Sequence, residues 1–341
     1  MAKEIRFYVQ RYRPSFEAIS KEVAILNESF LHTQIHDLHL DGIFNIKWNK
    51  KIKSYHFGLY PILALFIKLQ SIRQGINHIY TSLGDLPYLH VLNLNRTILT
   101  AAASCKIEKV RKRVPLLKKI KKIIVESQYH YDQLTSLGID EQKIKLIYPP
   151  ADLKKYHYQE TTGKFKVLYA SCPTREEDFE KRGIFLLLEY AKENPEIIFN
   201  LAWRKGAYKE ICELLDKHKM ENIIVKDEII KDINVTYGDN HCTIIPYTKF
   251  DDFLKLVPNS AIESLAAGKP LLVSNKTELA KMINEHKCGL SFEPTKEGLQ
   301  KSIEELQKNY YFYQQNCRGT AEKLFSKKSF ISSYNDIYKK L

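Results

Sequence analysis

Along this chain, short runs of about four to seven apolar residues, rich in Ile, Val, Phe and Tyr, alternate with longer segments of helical period. A strand that is apolar on both faces needs cover on both faces, and helices crossing between parallel strands supply it. The class is therefore α/β. In the first half the candidate strands are Ile5–Val9, Ile35–Leu40, His78–Ser82, Thr97–Ala101, Ile123–Glu126 and Ile144–Tyr148. Helices are expected over Ser15–Phe30 and over Tyr131–Leu137, the latter closed by Gly138. A second series of strands follows at Lys166–Ser171, Ile197–Trp203, Ile223–Lys226, Thr243–Tyr247, Pro270–Ser274 and Gly289–Phe292.

Between the two series lie Pro149-Pro150 and the polar, aromatic stretch 151–164, where adjacent prolines bar a helix and little is offered to a core. This reads as an interdomain linker. With 341 residues and about 150 to a domain, the expectation is two Rossmann-like, doubly wound parallel-sheet domains, 1–150 and 151–324. From about Thr295 onward the chain is helical, and Tyr310, Tyr311, Phe312, Tyr313, Phe325, Phe330, Tyr334 and Tyr338 carry enough aromatic area to dock on something large. The last helix, 325–341, is assigned to pack back on the first domain. Open parallel sheets bind ligands beyond the carboxyl ends of their strands, so two of them facing a central cleft suit group transfer.

Apolar residues at 44% and charged residues at 27% are those of a globular protein, and no repeat of 20–50 residues indicates a solenoid. The six cysteines have no C-x-x-C spacing, which disfavours zinc and disulfide frameworks and fits a cytoplasmic setting. The N-terminus lacks the apolar core of a signal peptide, and Leu59–Leu69, the most hydrophobic stretch, falls short of the ~20 residues needed to span a bilayer. A soluble or peripheral protein is expected.

The net charge is +13, and residues 106–122 alone hold nine bases against one acid. Such a surplus favours anionic partners. Ile107, Val110, Val114, Leu117 and Ile124 recur on one helical face, with Lys109, Arg111, Lys112, Arg113, Lys118 and Lys119 over much of the remainder. Pro115 is expected to divide the segment into two short helices. The pattern suits an acidic membrane surface, apolar face inward; alternatively that face packs on its own sheet and the bases are solvated. Nucleic acid is disfavoured, because the charge is one local run and not a groove interleaved with aromatics.

Val257–Ser274 reads as a loop, a helix opening at Asn259 or Ser260, a stop at Gly268 and a buried strand entered through Pro270. The first turn of that helix offers unpaired amides and the positive end of a helix dipole, a seat for a diphosphate, with Glu263 placed to accept from ribose hydroxyls. Ser260-x-x-Glu263 is also a capping box, in which Glu263 bonds back to the Ser260 backbone, and spacing alone favours the cap.

The run PNSAIESLAAGKPLLVS (258–274) with TELAKMINEHKCGLSF (277–292) resembles the C-terminal domain of retaining sugar-nucleotide glycosyltransferases of the GT-B fold, glycosyltransferase family four, also called glycosyl transferases group 1. Upstream, IIVESQYHYDQLTSLGIDEQKIKLIYPPADLKKY (123–156) is similar to the segment that crosses between that family's domains. The resemblance covers about residues 121 to 300. It implies that Glu263 holds the donor ribose and that the segment before it, Pro258 with Asn259 and Ser260, lies against the diphosphate, which the amides of that segment touch. It also implies a basic pair neutralising the leaving diphosphate, here Arg175 and Arg182, the latter standing before Gly183 where the family has Lys; Arg204 is a further phosphate candidate. Read without the family, Arg175, Lys181 and Arg182 simply pair with Glu176, Glu177, Asp178 and Glu180.

One position departs from the pattern: eight residues before Glu263 the family's first glutamate is replaced by Lys255. Asp251, Asp252 or the backbone of Thr248–Phe250 can substitute, and retention versus inversion stays open at this point. The sequence has no metal-ligand spacing and no Asp-x-Asp after a strand, so metal-free transfer is expected, assisted by fixed cations and a helix N-terminus. On the acceptor side, Asp85 is a candidate base or a helix cap, and Arg11 and Arg13 are candidate phosphate ligands or solvated bases. The expected activity is transfer of a sugar from a UDP- or GDP-linked donor to a membrane-associated glycan or lipid-linked acceptor, at the cytoplasmic face of the membrane. A nucleic-acid acceptor and a non-catalytic anion-binding module are the alternatives.

Overall fold

The computed structural model describes residues 3–15, 17–38, 51–54, 60–83, 89–103, 106–203, 206–228, 230–249 and 256–341. They form two compact units. Met1–Pro149 with Lys328–Leu341 makes the first, and Pro150–Asp251 with Val257–Lys327 the second.

Among the described residues, the first unit holds seven strands: β1 (Ile5–Val9), β2 (Thr33–Asp37), β3 (Ile52–Ser54), β4 (Ile76–Ser82), β5 (Thr97–Ala103), β6 (Lys122–Val125) and β7 (Ile144–Leu146). All pairings are parallel, in the order β3-β2-β1-β4-β5-β6-β7. β1 is an interior strand, with Phe7 between Ile35 and His78, and all five of its residues are buried, the charged Arg6 included. β3 has no counterpart among the expected strands: an edge strand of Ile-Lys-Ser is too short to leave a run. The most hydrophobic stretch becomes helix α2 (Tyr60–Ile72), with Pro61 in its first turn, where a missing N–H is harmless.

Helices cover both faces of this sheet. Helix α1 (Ala18–Ser29) lies on the face of Ile5, Phe7 and Val9, through Val23 and Leu26. On the opposite face α2, α3 (Ile107–Leu117) and α4 (Gln128–Ser136) join one core through Ile67, Val110, Leu117 and Leu134 against Leu99, Ile123 and Val125. Ser127 caps α4 by accepting from the His130 N–H at 3.2 Å, and Gly138, at φ 74°, turns the chain after it.

The basic segment differs from expectation in two ways. Pro115 does not divide it: α3 runs continuously over Ile107–Leu117, because a proline so close to a helix end disturbs only the last turn. Ile124 belongs to β6 and not to the helix. Val110 and Leu117 are fully buried against the unit's own sheet, with Val114 packed beside them, so the apolar face of α3 is already covered, while Lys109, Arg111, Lys112, Lys118 and Lys119 are exposed and Arg113 is half-buried.

The second unit contains β8 (Lys166–Tyr169), β9 (Ile198–Trp203), β10 (Ile223–Asp227), β11 (Cys242–Ile245), β12 (Leu271–Ser274) and β13 (Gly289–Phe292) among its described residues, again parallel, in the order β10-β9-β8-β11-β12-β13. Its helices are α5 (Ile184–Glu193), α6 (Tyr208–His218), α7 (Ile233–Gly238), α8 (Asn259–Ala266), α9 (Leu279–His286), α10 (Lys296–Lys308) and α11 (Tyr310–Phe325). The stretch read as a linker is part of this unit. The buried Lys269 ammonium donates to the carbonyl of Gln159 (2.6 Å), the Thr161 hydroxyl (2.6 Å) and the carbonyl of Gly238 (3.2 Å), and it lies 5.0 Å from the Tyr158 ring centre. Local polarity conceals such an anchor, because its donor is more than a hundred residues away in sequence. Burial brings the Lys269 pKa down to about 8.

Helix α12 (Lys327–Lys339) buries Phe330, Tyr334, Ile337 and Tyr338 in the core of the first unit. A buried polar chain accompanies them. The two ring nitrogens of His78 meet the hydroxyls of Tyr338 and Thr100 at 2.7 Å each, Tyr334 meets Thr100 at 3.0 Å and Tyr80 at 3.2 Å, and Tyr80 donates to Glu22 at 2.9 Å. Burial lowers the His78 pKa to about 3, so the folded protein holds a neutral ring where the unfolded chain takes a proton near pH 6.5. The stability contributed by the neutral ring is complete above pH 6.5 and is lost as pH falls from 6.5 toward 3, by up to about 1.4 kcal/mol per pH unit. Chemical denaturation at pH 7 and pH 5 should show that loss, and His78→Gln should flatten it.

Candidate active site

In both sheets the strand order reverses beside the first strand of the unit, between β1 and β4 and between β8 and β11. Adjacent crossovers leave such a point on opposite faces of the sheet and open a crevice at the carboxyl ends of the strands. The crevice of the second unit is lined by the segments following β8 and β11 and by the N-terminus of α8.

Arg182 is fixed there. Its guanidinium donates to the hydroxyls of Ser171, two residues beyond β8, and Tyr247, two beyond β11, each at 3.2 Å, and stands 5.3 Å from the Tyr247 ring centre. The loop that carries it is laced to the β11 side: Thr248 donates from its N–H to the Lys181 carbonyl at 3.1 Å and from its hydroxyl to the Glu180 carbonyl at 2.7 Å. Gly183, at φ 75°, starts α5, and a Cβ there would collide with the Pro246 carbonyl. Both the backbone angle and the close approach require glycine.

The ion-pair reading separates the three bases. Arg175 pairs with Glu177 at 3.5 Å on the open surface, and Lys181 pairs with Asp178 at 2.7 Å, where hydrogen bonding to Lys181 holds the Asp178 pKa below the usual carboxylate range. Arg182 has no carboxylate within pairing distance among the described residues, and its Nε is buried without a partner among them. Burial works against its charge, but Tyr247, Tyr169 and, beyond pairing distance, the Asp178 carboxylate more than offset that and leave its pKa above the ordinary value. Arg204 lies outside the described residues.

Helix α8 starts after Pro258 with no side-chain cap. The Ala261 and Ile262 amides turn back to the Pro258 carbonyl, at 3.0 and 3.4 Å, whereas those of Asn259 and Ser260 make no backbone bond among the described residues. The Asn259 Oδ1 is likewise buried without a partner among them. Two amides with no backbone partner among the described residues, at a positive helix end, are donors suited to phosphate oxygens. Glu263, one turn on, is no capping-box residue. It accepts from the Tyr237 hydroxyl at 3.1 Å, and its charge, after burial, raises the pKa of Tyr156 nearby. Lys255, Asp251 and Asp252 lie outside the described residues.

Sequence reasoning passed over Ser171, Tyr247, Tyr156 and Tyr237. Tyr247 was within reach as the end of an expected strand, the place where open sheets bind ligands. Tyr156 and Tyr237 carry no such signal, since they meet Glu263 only through the fold.

In the first unit, Arg11 follows β1 and pairs with Glu17 at 3.3 Å, while the Arg13 amide donates to the Ser20 hydroxyl at 2.8 Å and its side chain is exposed. Asp85 lies outside the described residues.

Residues 176–323 match the family model described as Glycosyl transferases group 1, a span that takes in Arg182 and α8. No curated protein matches the chain in sequence. Among solved structures it is similar to HepE of Anabaena in complex with UDP, at 14% identity and a TM-score of 0.80 over 99% of this chain and 100% of that one. Sucrose-phosphate synthase of Thermosynechococcus elongatus follows at 13% and 0.78 over 99% of both chains. The lipopolysaccharide outer core galactosyltransferase WaaB, in apo form, is 13% identical with a TM-score of 0.74 over 99% of this chain and 100% of that one. At these identities the likeness establishes the fold, which is GT-B. Fold and family model together define the class of the protein: a glycosyltransferase.

Gly183→Ala should lower the stability of the second unit by more than the ~1–2 kcal/mol of a left-handed residue, because the collision with Pro246 adds to it. Thermal melting of the variant beside the parent measures the difference.

Proposed function

We propose that the chain moves a sugar from a nucleotide donor held by the second unit to a glycan or lipid-linked acceptor held by the first, with retention of configuration and without a metal. The observation that carries this is Arg182, a guanidinium held at the strand-order reversal by hydroxyls and by no carboxylate among the described residues. Its charge remains available to the diphosphate that must leave, and the α8 amides add the donors that stabilise the developing negative charge. Glu263 then holds the ribose, positioned by its hydrogen bond from Tyr237. UDP is the first choice of donor nucleotide, since HepE is a UDP complex, with GDP as the second.

Titration calorimetry tests the site. UDP or GDP should bind the parent, and Arg182→Ala should weaken binding by about 1.5–3 kcal/mol, the scale of hydrogen bonds to charged groups. Unchanged affinity would remove Arg182 from the site. Because the cations are the protein's own, chelation by EDTA should leave transfer undiminished in a radiolabelled sugar assay, and a rate restored by added divalent ions would overturn the metal-free reading.

The acceptor class follows from the charge of the first unit. Lys109, Arg111, Lys112, Arg113, Lys118 and Lys119 would hold the enzyme peripherally at an acidic, cytoplasmic membrane face where lipid-linked acceptors reside, at about 1 kcal/mol per base near the surface. WaaB, by its name an enzyme of the lipopolysaccharide outer core, is a GT-B neighbour with an acceptor of that general kind.

A further inference from the structure

With the apolar side of α3 covered by its own sheet, the membrane contact proposed above lacks a surface to enter the lipid. Helix α2 has one. Leu65, Leu69 and Ile72 are 59%, 52% and 56% exposed, and their spacing of four and three residues aligns them along one side of the helix. Ile67, Gln70 and Ser71, on the other side, are buried. Three large aliphatic side chains in a row, each more than half in water, form an apolar strip for which a soluble surface has no use.

Its surroundings identify the occupant. Exposed Lys68 on the helix and exposed Arg73 just past its end flank the strip, and exposed Arg96 is held beside that end by donating to the carbonyls of Ile72 (3.4 Å) and Arg73 (3.3 Å). Helices α2 and α3 enter one core cluster on one face of the sheet, through Ile67 and through Val110 and Leu117, so their outer sides look away from the sheet in the same direction. An apolar strip bordered by cations, facing the same way as the exposed bases of α3, complements acyl chains beneath a layer of anionic headgroups.

We propose that the outer side of α2 is the element of this protein that enters an anionic lipid bilayer, Leu65, Leu69 and Ile72 reaching the acyl chains while Lys68, Arg73, Arg96 and the bases of α3 meet headgroup phosphates. The inference rests on the membrane contact argued under Proposed function and assigns the two halves of that contact to two helices.

Flotation of the full chain with phosphatidylcholine vesicles, with and without phosphatidylglycerol, at low and high salt, separates the halves. The parent should float with the anionic vesicles, and a fraction should stay bound at about 1 M salt, where the Debye length is about 3 Å and charge is screened. Leu65→Ser with Leu69→Ser should reduce that salt-resistant fraction about tenfold or more, and Leu69→Trp should increase it. Lys109→Glu with Arg111→Glu and Lys112→Glu should abolish low-salt binding. Salt-resistant binding unchanged by the serine pair overturns the role of α2 and leaves that of α3. Low-salt binding unchanged by the glutamate triple overturns the reading of α3 alone. A serine pair that alters only the oligomeric state in light scattering makes the strip a self-association surface and overturns the proposal.

Discussion

The reversal of strand order beside β8 is the constraint on which the candidate site depends. A parallel sheet grown to one side of its first strand and then to the other must send its crossovers over opposite faces, and the gap between them is where the chain leaves its own backbone donors and side chains unburied. Ser171, Tyr247, the Arg182 loop and the start of α8 all follow strands that end at that gap. The electrostatic consequence comes from what holds the guanidinium. Bonded to two hydroxyls, Arg182 is positioned without being neutralised, whereas Lys181 beside it is closed off by Asp178 at 2.7 Å. One residue of difference in sequence thus separates a charge set aside for a ligand from one absorbed in a structural pair.

The first unit follows the same rule of sheet growth but is completed from the far end of the chain. Phe330 and Tyr334 join the core around Phe7 and Ile35, and the hydroxyl chain from Tyr338 through His78 and Thr100 to Tyr334 gives every member a partner in a dry environment. A network of this kind tolerates burial only when satisfied throughout, which ties the position of α12 to the protonation of one histidine.

Charge and hydrophobicity are distributed over the first unit by the demands of packing. The helix with the most bases uses its apolar side to cover the sheet, and the helix with the most apolar sequence has more of it than the sheet can cover. Amphipathic periodicity in α3 states that one side is buried but not against what. In α2 the periodicity is masked because both sides are apolar, and only exposure separates the inner Ile67 from the outer Leu65 and Leu69.

By itself the sequence determined what is written in local period and local chemistry. The short apolar runs bounded by helical segments read as covered parallel strands, twelve of the strands stand close to their expected positions, and Gly138 marks a place where the backbone needs a positive φ. The helix opening at Asn259 was legible because the needed geometry lies within a few residues, whereas the Arg182-Gly183 pair stood out only through the family resemblance. Tertiary structure alone decided which of three neighbouring bases has no carboxylate partner among the described residues, which tyrosine bonds to Glu263, and which side of a basic helix is spoken for. Those outcomes depend on contacts such as Arg182 with Tyr247, 65 residues apart, and Tyr237 with Glu263, 26 apart, and at such separations no periodicity links the partners until the sheet has brought them together.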